Sequence, residues 1–512
     1  MPRRIARYLV ISVYLRCLPK HFRDKGVMRP FNLHLSTAGE RVSWCKLFAS
    51  ADGAGAFARG GSCMPGKSVV ILDGAGSGDK DLTPILDVLS HVLKADGAQV
   101  ETLPLREMKL AHCLGCFDCW VKTPGLCVEA DAGREIAKAM IRSDVTVLFT
   151  PVTFGGYSPE LKKMVDRFVQ LASPFFYIDH GEVHHPPRYA RRPRLMMVGV
   201  QRHPNPNEAH IFKILAGRNA INLHPQSYRA EVVLATDRAD ALRGRFESLL
   251  TGSDALPFGD AVASLMPAPV VPGAAVGPVG ARRALLIVGS PKTKEPSTSG
   301  VLGSYLLDRL NQHGWETESL TLRARLNRTE GEGELLSSVQ RAGLILLVFP
   351  LYVDALPYLV TKALAVIGAH RGAGREPSSQ RLVGIVNSGF PETHQNSVAL
   401  AICREFAAQS GFLWAGCLAL GGGGAIGGQS LTGAKRSGPP VHHVIAALEM
   451  TAAALAEGLP VPAEAVRMIA KNSIPFALWR WLYSWIGARG LKKLAAKNGI
   501  GKDKLLAQPY AT

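Results

Sequence analysis

The chain predicts an α/β protein made of two tandem, doubly wound parallel sheets, and three observations carry that expectation. Short continuous apolar runs alternate with amphipathic helical patterns, as strands covered on both faces require. The same order of runs occurs twice at domain scale. Between the copies, residues 257–281 are rich in Pro, Ala, Val and Gly and nearly free of charge, which reads as a linker.

The first copy opens on Ser68-Val-Val-Ile-Leu-Asp73, which runs into a Gly/Ser loop. A helical pattern follows over 83–95, a second strand near 98–103, a third at 144–149 running into Pro151, and a fourth at 194–199. The second copy repeats this with strands at 284–289, 316–321, 343–349 and 381–386, a helix over 299–313 and a proline loop at Pro350. A fifth strand there ends at the glycines 421–424. Five such strands per copy suit the flavodoxin-like order, whose ligand sits at the carboxyl ends of strands one and three.

At 512 residues the chain is too long for one ordinary core. The divisions expected are a basic extension, 1–66, either disordered or the result of an over-extended start, and a first domain over 67–255. The linker at 256–281, a second domain over 282–460 and a basic, Trp-rich helical tail over 461–512 follow. The formal net charge of +18 resides at the ends: 12 Lys/Arg against 3 Asp/Glu over 1–67, and 9 against 1 over 466–512. The nearly neutral middle argues against nucleic acid as a partner. No run of about 18 uncharged apolar residues exists to form a transmembrane segment. The nearest candidate, 474–486, is expected to pack on its own body or on a partner subunit. Nine cysteines without a secretory signal point to the cytoplasm.

Four of those cysteines are crowded together: Cys113, Cys116, Cys119 and Cys127, in the spacing C-x2-C-x2-C-x7-C. Soft thiolates on one short loop suit an iron–sulfur cluster or a tetrahedral zinc. Structural zinc more often takes two separated C-x2-C knuckles. From Asp73 to Pro151 is 78 positions, against 61 from Gly289 to Pro350, an excess of 17. The cysteine segment is therefore an insert between strands two and three of the first copy alone.

In the second copy, Ser290, Lys292, Ser297, Thr298 and Ser299 join strand one to helix one. Hydroxyls, a cation and amides at a helix N-terminus can cradle a phosphate monoester, although an ordinary Ser-rich N-cap turn reads the same way. Pro350-Leu351-Tyr352-Val353-Asp354 ends strand three and can meet a planar ring. Ser388 and Gly389, in the loop that ends strand four, can close the site.

This loop set, with the cysteine spacing, resembles the NADPH-dependent FMN reductase and iron–sulfur flavoprotein families over 67–250 and 282–460. Pro151, Thr153, Phe154 and Gly155 of the first copy are similar to the flavin-side loop of those families, with Ser77 in the phosphate loop. The resemblance implies FMN, NAD(P)H as co-substrate and a [4Fe-4S] cluster near the flavin. It also implies dimers or tetramers, so a homo-oligomer or an internal pseudo-dimer is expected. The first copy departs at Asp79 and Asp81, which repel a phosphate dianion unless they point away. The leading expectation is an NAD(P)H-dependent FMN oxidoreductase serving a flavin, quinone-like or protein acceptor. Alternatives are a non-enzymatic electron carrier and a zinc-clamped structural or regulatory protein.

Three weaker signals complete the reading. His180, His184 and His185 suggest a solvated or substrate-covering loop rather than a metal site. Cys403 and Cys417 read as core residues. Asp166 and Arg167 read as a surface or inter-subunit ion pair.

Overall fold

The computed structural model describes residues 65–270, 281–292, 296–372, 379–431, 441–471 and 476–511. The basic extension up to residue 64 and the linker residues 271–280 lie outside the described residues. Both sheets belong to one compact unit, Ser62–Thr512.

The first sheet comprises β1 (Ser68–Asp73), β2 (Gln99–Pro104), β3 (Val145–Pro151), β6 (Arg194–Gln201) and β7 (Tyr228–Leu234). A short antiparallel hairpin, β4 (Tyr177–Asp179) and β5 (Glu182–His184), is inserted ahead of β6. The second sheet comprises β8 (Arg283–Val288), β9 (Glu316–Thr321), β10 (Leu344–Pro350), β11 (Arg381–Asn387) and β12 (Leu413–Leu420). The orders are β2-β1-β3-β6-β7 and β9-β8-β10-β11-β12, all parallel. Both are flavodoxin-like 2-1-3-4-5 sheets. Helices cover both faces, so β3 is buried along its whole length. The edge strands β2 and β9 read polar, QVETLP and ETESLT, because one side of each meets solvent.

The domains embrace each other through equivalent tight turns at their carboxyl-end loops. Thr153 bridges Gly156 across Phe154 and Gly155 (φ 53° and 86°). Tyr352 bridges Ala355 across Val353 and Asp354 (φ 46° and 59°). Consecutive positive φ values tighten such a turn enough to project it from the sheet.

The first turn enters the second domain. Phe154 meets Phe406 edge to face at 5.1 Å, and a Cβ on Gly368 would lie 2.8 Å from its ring. The second turn enters the first domain, where Asp354 accepts hydrogen bonds from Asn222 Nδ2 at 2.7 Å and Asn219 Nδ2 at 3.2 Å. One hydrophobic cluster accordingly runs from Leu148 and Phe212 to Leu356 and Phe406.

Asp166 and Arg167 depart from expectation, being neither exposed nor paired with each other. Helix Pro159–Val165 tightens into a 3-10 turn, Asp166–Leu171, that turns both side chains inward. Asp166 pairs with buried Lys162 and accepts from Tyr358 N at 2.7 Å. Lys162 also donates to Tyr352 O at 2.8 Å, so this buried pair ties the two domains. Arg167 pairs instead with Asp131 at 2.7 Å. Part of the linker is also packed: Gly259 N donates to Glu182, and Phe258 stacks on His180 at 4.2 Å.

Candidate functional site

The cysteine loop leaves β2 through a 3-10 turn, Leu105–Glu107, and returns at Asp131, the N-cap of helix Ala132–Arg142. Asp131 Oδ1 takes Gly133 N at 3.0 Å, while Oδ2 takes Ala111 N at 2.7 Å. Arg167 reinforces this clasp by donating to Ala111 O at 3.2 Å and Glu129 O at 3.3 Å. The two stems of the loop are thereby held together on either side of the cysteines. Phe117 (φ 59°) turns the chain into the one-turn helix Asp118–Val121, and Gly125 (φ 86°) turns it back.

All four predicted ligands lie on this loop, with Cys119 buried, Cys113 and Cys127 partly buried and Cys116 exposed. Burial pushes the Cys113 thiol up to about 12 and raises the Cys119 thiol as well; the neighbouring thiols add to both shifts. The sulfurs therefore feel one another electrostatically. Yet among the described residues no three His, Cys, Asp or Glu side chains converge as a single metal ion requires. A tetrahedral zinc draws its sulfurs to about 2.3 Å from one point. A cubane cluster gives each thiolate its own iron and leaves the sulfurs further apart. Four cysteine thiolates are a donor set a [4Fe-4S] cluster can use, and a cluster does not need them to converge on one point.

The tail packs on this loop. Helix Phe476–Lys497 runs beside Asp118–Val121, and Ala495 and Leu505 share a small core with Cys119, Trp120 and Val121. A Cβ on Gly125 would lie 2.6 Å from Pro509. Gln170 Oε1 accepts both Cys127 N at 3.0 Å and Tyr510 Oη at 3.1 Å.

In the second domain the predicted loops do come together. Ser297 is the N-cap of helix Thr298–Gln312 and accepts from Gly300 N at 3.0 Å, so the ordinary turn reading holds for that hydroxyl. Asn387 Nδ2 donates to Ser299 Oγ at 2.7 Å, joining the first loop to the end of β11. Thr298 Oγ1 donates to Gly423 O at 3.1 Å, and a Cβ on Gly428 would lie 2.0 Å from Pro296 O. That approach requires glycine at 428, and a Cβ on Gly421 would likewise lie 2.3 Å from Pro391 O. Ser290 and Ser388 are buried at the rim, while Lys292 and Gly389 are exposed.

Pro350 and Leu351 continue from β10 into the turn at 352–355, and this turn reaches the cysteines. A Cβ on Gly115 (φ 64°) would lie 1.8 Å from Tyr352 Oη. Burial, followed by the charges of Cys113 and Asp166, holds the Tyr352 phenol well above its usual range. The two sequence motifs expected to carry redox chemistry thus meet across the domain interface.

The first domain's own phosphate loop is filled by carboxylates. Asp73 Oδ1 accepts from Ala75 N at 2.9 Å, and Asp79 Oδ2 from Gly76 N at 2.7 Å. Asp79 and Asp81 both pair with Arg202, at 2.7 and 3.0 Å. Ser77 is exposed, and Thr153, Phe154 and Gly155 form the turn that enters the second domain.

The histidine segment forms the β4–β5 hairpin rather than a solvated loop. His184 is fully buried, and His185 packs against Trp120 at 4.6 Å and Phe390 at 5.3 Å. The hairpin therefore bridges the cysteine loop and the β11 loop. Burial pulls the His185 pKa down to about 4. Glu182 collects His184, His394 and Arg218. Burial alone would raise the Glu182 pKa, but these partners hold it well below the carboxylate range. Gln170, Arg188, Asn219 and Arg218 were not singled out by sequence, since no motif or local periodicity marks them.

Fold and site together define a tandem flavodoxin-like protein whose cysteine loop faces the carboxyl-end loops of its neighbouring domain. Residues 69–231, most of the first domain, match the NADPH-dependent FMN reductase family model. An iron–sulfur flavoprotein of Methanocaldococcus jannaschii is 31% identical over 99 residues, covering 19% of this chain and 50% of that protein. One from Archaeoglobus fulgidus is 29% identical over 85 residues, covering 17% of this chain and 38% of that protein. The chain thus spans half or less of these curated relatives. An NAD(P)H:quinone oxidoreductase from Methanothermobacter marburgensis aligns at 13% identity with a TM-score of 0.29, over 36% of this chain and 98% of that one. Among the described residues no helix is long and apolar enough to cross a membrane.

Proposed function

We propose that this protein is an NAD(P)H-dependent flavoprotein oxidoreductase. In this reading FMN is held mainly by the second domain and a [4Fe-4S] cluster by Cys113, Cys116, Cys119 and Cys127 of the first. The observation that carries it is the packing of Gly115 against Tyr352, which sets the cysteine loop beside the turn that follows β10. When bound, FMN accepts a hydride equivalent and the cluster carries single electrons.

The chain's own residues supply binding and exclusion. Ser290, Lys292, Thr298 and Ser299 would meet the phosphate, with Tyr352, Ser388 and the backbone of 350–354 and 387–389 against the ring. The first-domain phosphate loop is a poorer cradle, because Asp73 and Asp79 already accept two of its amide donors. The β4–β5 hairpin and the aromatic group of Trp120, Phe176, His185 and Phe390 shield the space between the loops from water. The acceptor is a flavin, a quinone-like molecule or a protein.

Anaerobic purification with iron, sulfide and released-flavin assays tests this. FMN, iron and acid-labile sulfide are expected together, and NADPH should bleach the flavin. Zinc without sulfide would replace this reading with a structural clamp. Lys292→Glu should lower FMN content several-fold while Ser77→Ala leaves it unchanged, and the reverse pattern would move the flavin to the first domain.

A further inference from the structure

Arg188 lies behind the cysteine loop and is 3% exposed. Its guanidinium donates only to carbonyl oxygens: Nε to Gln170 O at 3.0 Å and Ala172 O at 3.2 Å, Nη1 to Leu505 O at 2.9 Å and Ala507 O at 3.0 Å. Nη2 is buried and has no hydrogen-bond partner. Among the described residues no carboxylate pairs with it. Two other buried arginines differ, Arg167 meeting Asp131 and Arg218 meeting Glu182. Arg381, also without a carboxylate, lies over the Trp315 ring. A buried unpaired charge is costly, and carbonyl dipoles offset only part of that cost.

The surroundings of Arg188 say which anion is missing. The acidic side chains near enough to interact with it are Tyr189 and Cys119, both held protonated by burial. Ala172 O, which accepts its Nε, also accepts Trp120 Nε1 at 3.2 Å, one residue from Cys119. Gln170, whose backbone oxygen takes Nε, holds Cys127 N through its side chain. Arg188 is thus fixed by the same groups that fix two of the four cysteines. A cluster on four thiolates is net negative, and more so by one charge when reduced.

We propose that Arg188 is the counter-cation of the cluster bound by Cys113, Cys116, Cys119 and Cys127, a positioning residue that favours its one-electron reduction. The C-terminal tail locks this cation in place through the carbonyls of Leu505 and Ala507. Arginine suits the position because its charge survives burial and its planar fork keeps one edge on the carbonyls while presenting the other. The proposal rests on the iron–sulfur reading of the cysteine loop.

The test is an anaerobic redox titration of the full-length holoprotein, following the cluster by electron paramagnetic resonance and FMN by absorbance. Arg188→Gln should lower the equilibrium constant for cluster reduction about tenfold, roughly 59 mV for one electron, and leave the FMN couple in place. Arg188→Lys, which keeps the charge, should stay within about threefold of wild type. A cluster retained by Arg188→Lys and lost by Arg188→Gln would support the same role. Wild-type protein labelled with [15N]arginine should show nitrogen coupling to the reduced cluster in pulsed resonance, which needs no substitution.

Equal potentials in the wild type and Arg188→Gln overturn the proposal. So does cluster loss from both variants while FMN and near-ultraviolet circular dichroism persist, or an absence of nitrogen coupling. Wild-type protein lacking iron and sulfide defeats the iron–sulfur reading itself, a different result from iron present at an unmoved potential.

Discussion

The two domains share one sheet order, yet their carboxyl-end loops do different work. In the first, Asp73 and Asp79 fold back onto the amides of the β1 loop, with Arg106 paired to Asp73 and Arg202 to Asp79 and Asp81. In the second, the corresponding loop keeps its hydroxyls and a lysine, knitted to β11 and to the glycines beyond β12. The domain that matches the flavin-reductase family is therefore the one whose phosphate loop is already filled, and it carries the cysteines instead. Likeness of fold in a duplicated chain does not carry likeness of role.

The largest effect should come from breaking the first domain's part. Cys119→Ser is expected to remove essentially all cluster iron while FMN stays bound, as measured by metal and flavin assays on one sample. Loss of both together would mean that the cysteines support the flavin site structurally. Next comes the tie between the domains. Lys162→Met strands Asp166 in the interface and should cost about 3–5 kcal/mol in denaturant unfolding. The exposed pair Arg191–Asp144, at 2.8 Å, should cost less than about 1 kcal/mol when Arg191 is replaced by Ala.

Gly115→Ala tests the contact between the two motifs. It needs a positive φ that alanine disfavours and a Cβ in the space of the Tyr352 hydroxyl, so about 2 kcal/mol of destabilisation is expected. Tyr352→Phe in that background should restore part of the loss, because the removed oxygen is the atom in conflict.

Acid should loosen the hairpin that spans both domains. His185 titrates near 4 when folded, below its ordinary value, so the unfolded chain takes up that proton first and stability falls as pH drops from about 6.5 towards 4. Glu182, held low, adds the same sign below about 4.5. A thermal midpoint lower by a few degrees at pH 5 than at pH 7 is expected. The smallest effect sharpens the comparison: Asp79→Ser frees Gly76 N and should let the first domain bind inorganic phosphate weakly, detectable by calorimetry.

Much of the fold was legible because a parallel strand buried on both faces leaves a continuous apolar run, as β3 and β10 do. The cysteine insert was legible because the second copy supplies an internal ruler. Residues 289–292 and 296–299 lie with the loops 350–354 and 387–391 because strand order brings their carboxyl ends to one edge. What sequence did not reveal is long-range. Lys162, Asp166 and Arg167 look like the polar face of a helix, and only the partner domain and the cysteine stems show why they are buried. Arg188 sits in a run of Pro and Arg without period, and its partners are backbone carbonyls more than 300 positions away at Leu505 and Ala507. Carbonyls carry no sequence signature.

The embrace of the two turns has one further consequence. In a homodimer every substitution appears twice, once on each side of the axis, so a loop cannot be spent on a carboxylate clasp without losing its twin. Joining the copies in one chain removes that obligation. It also replaces an encounter between subunits by a tethered one, which does not weaken as the protein is diluted. Each half is then free to specialise while the pairing itself stays intact.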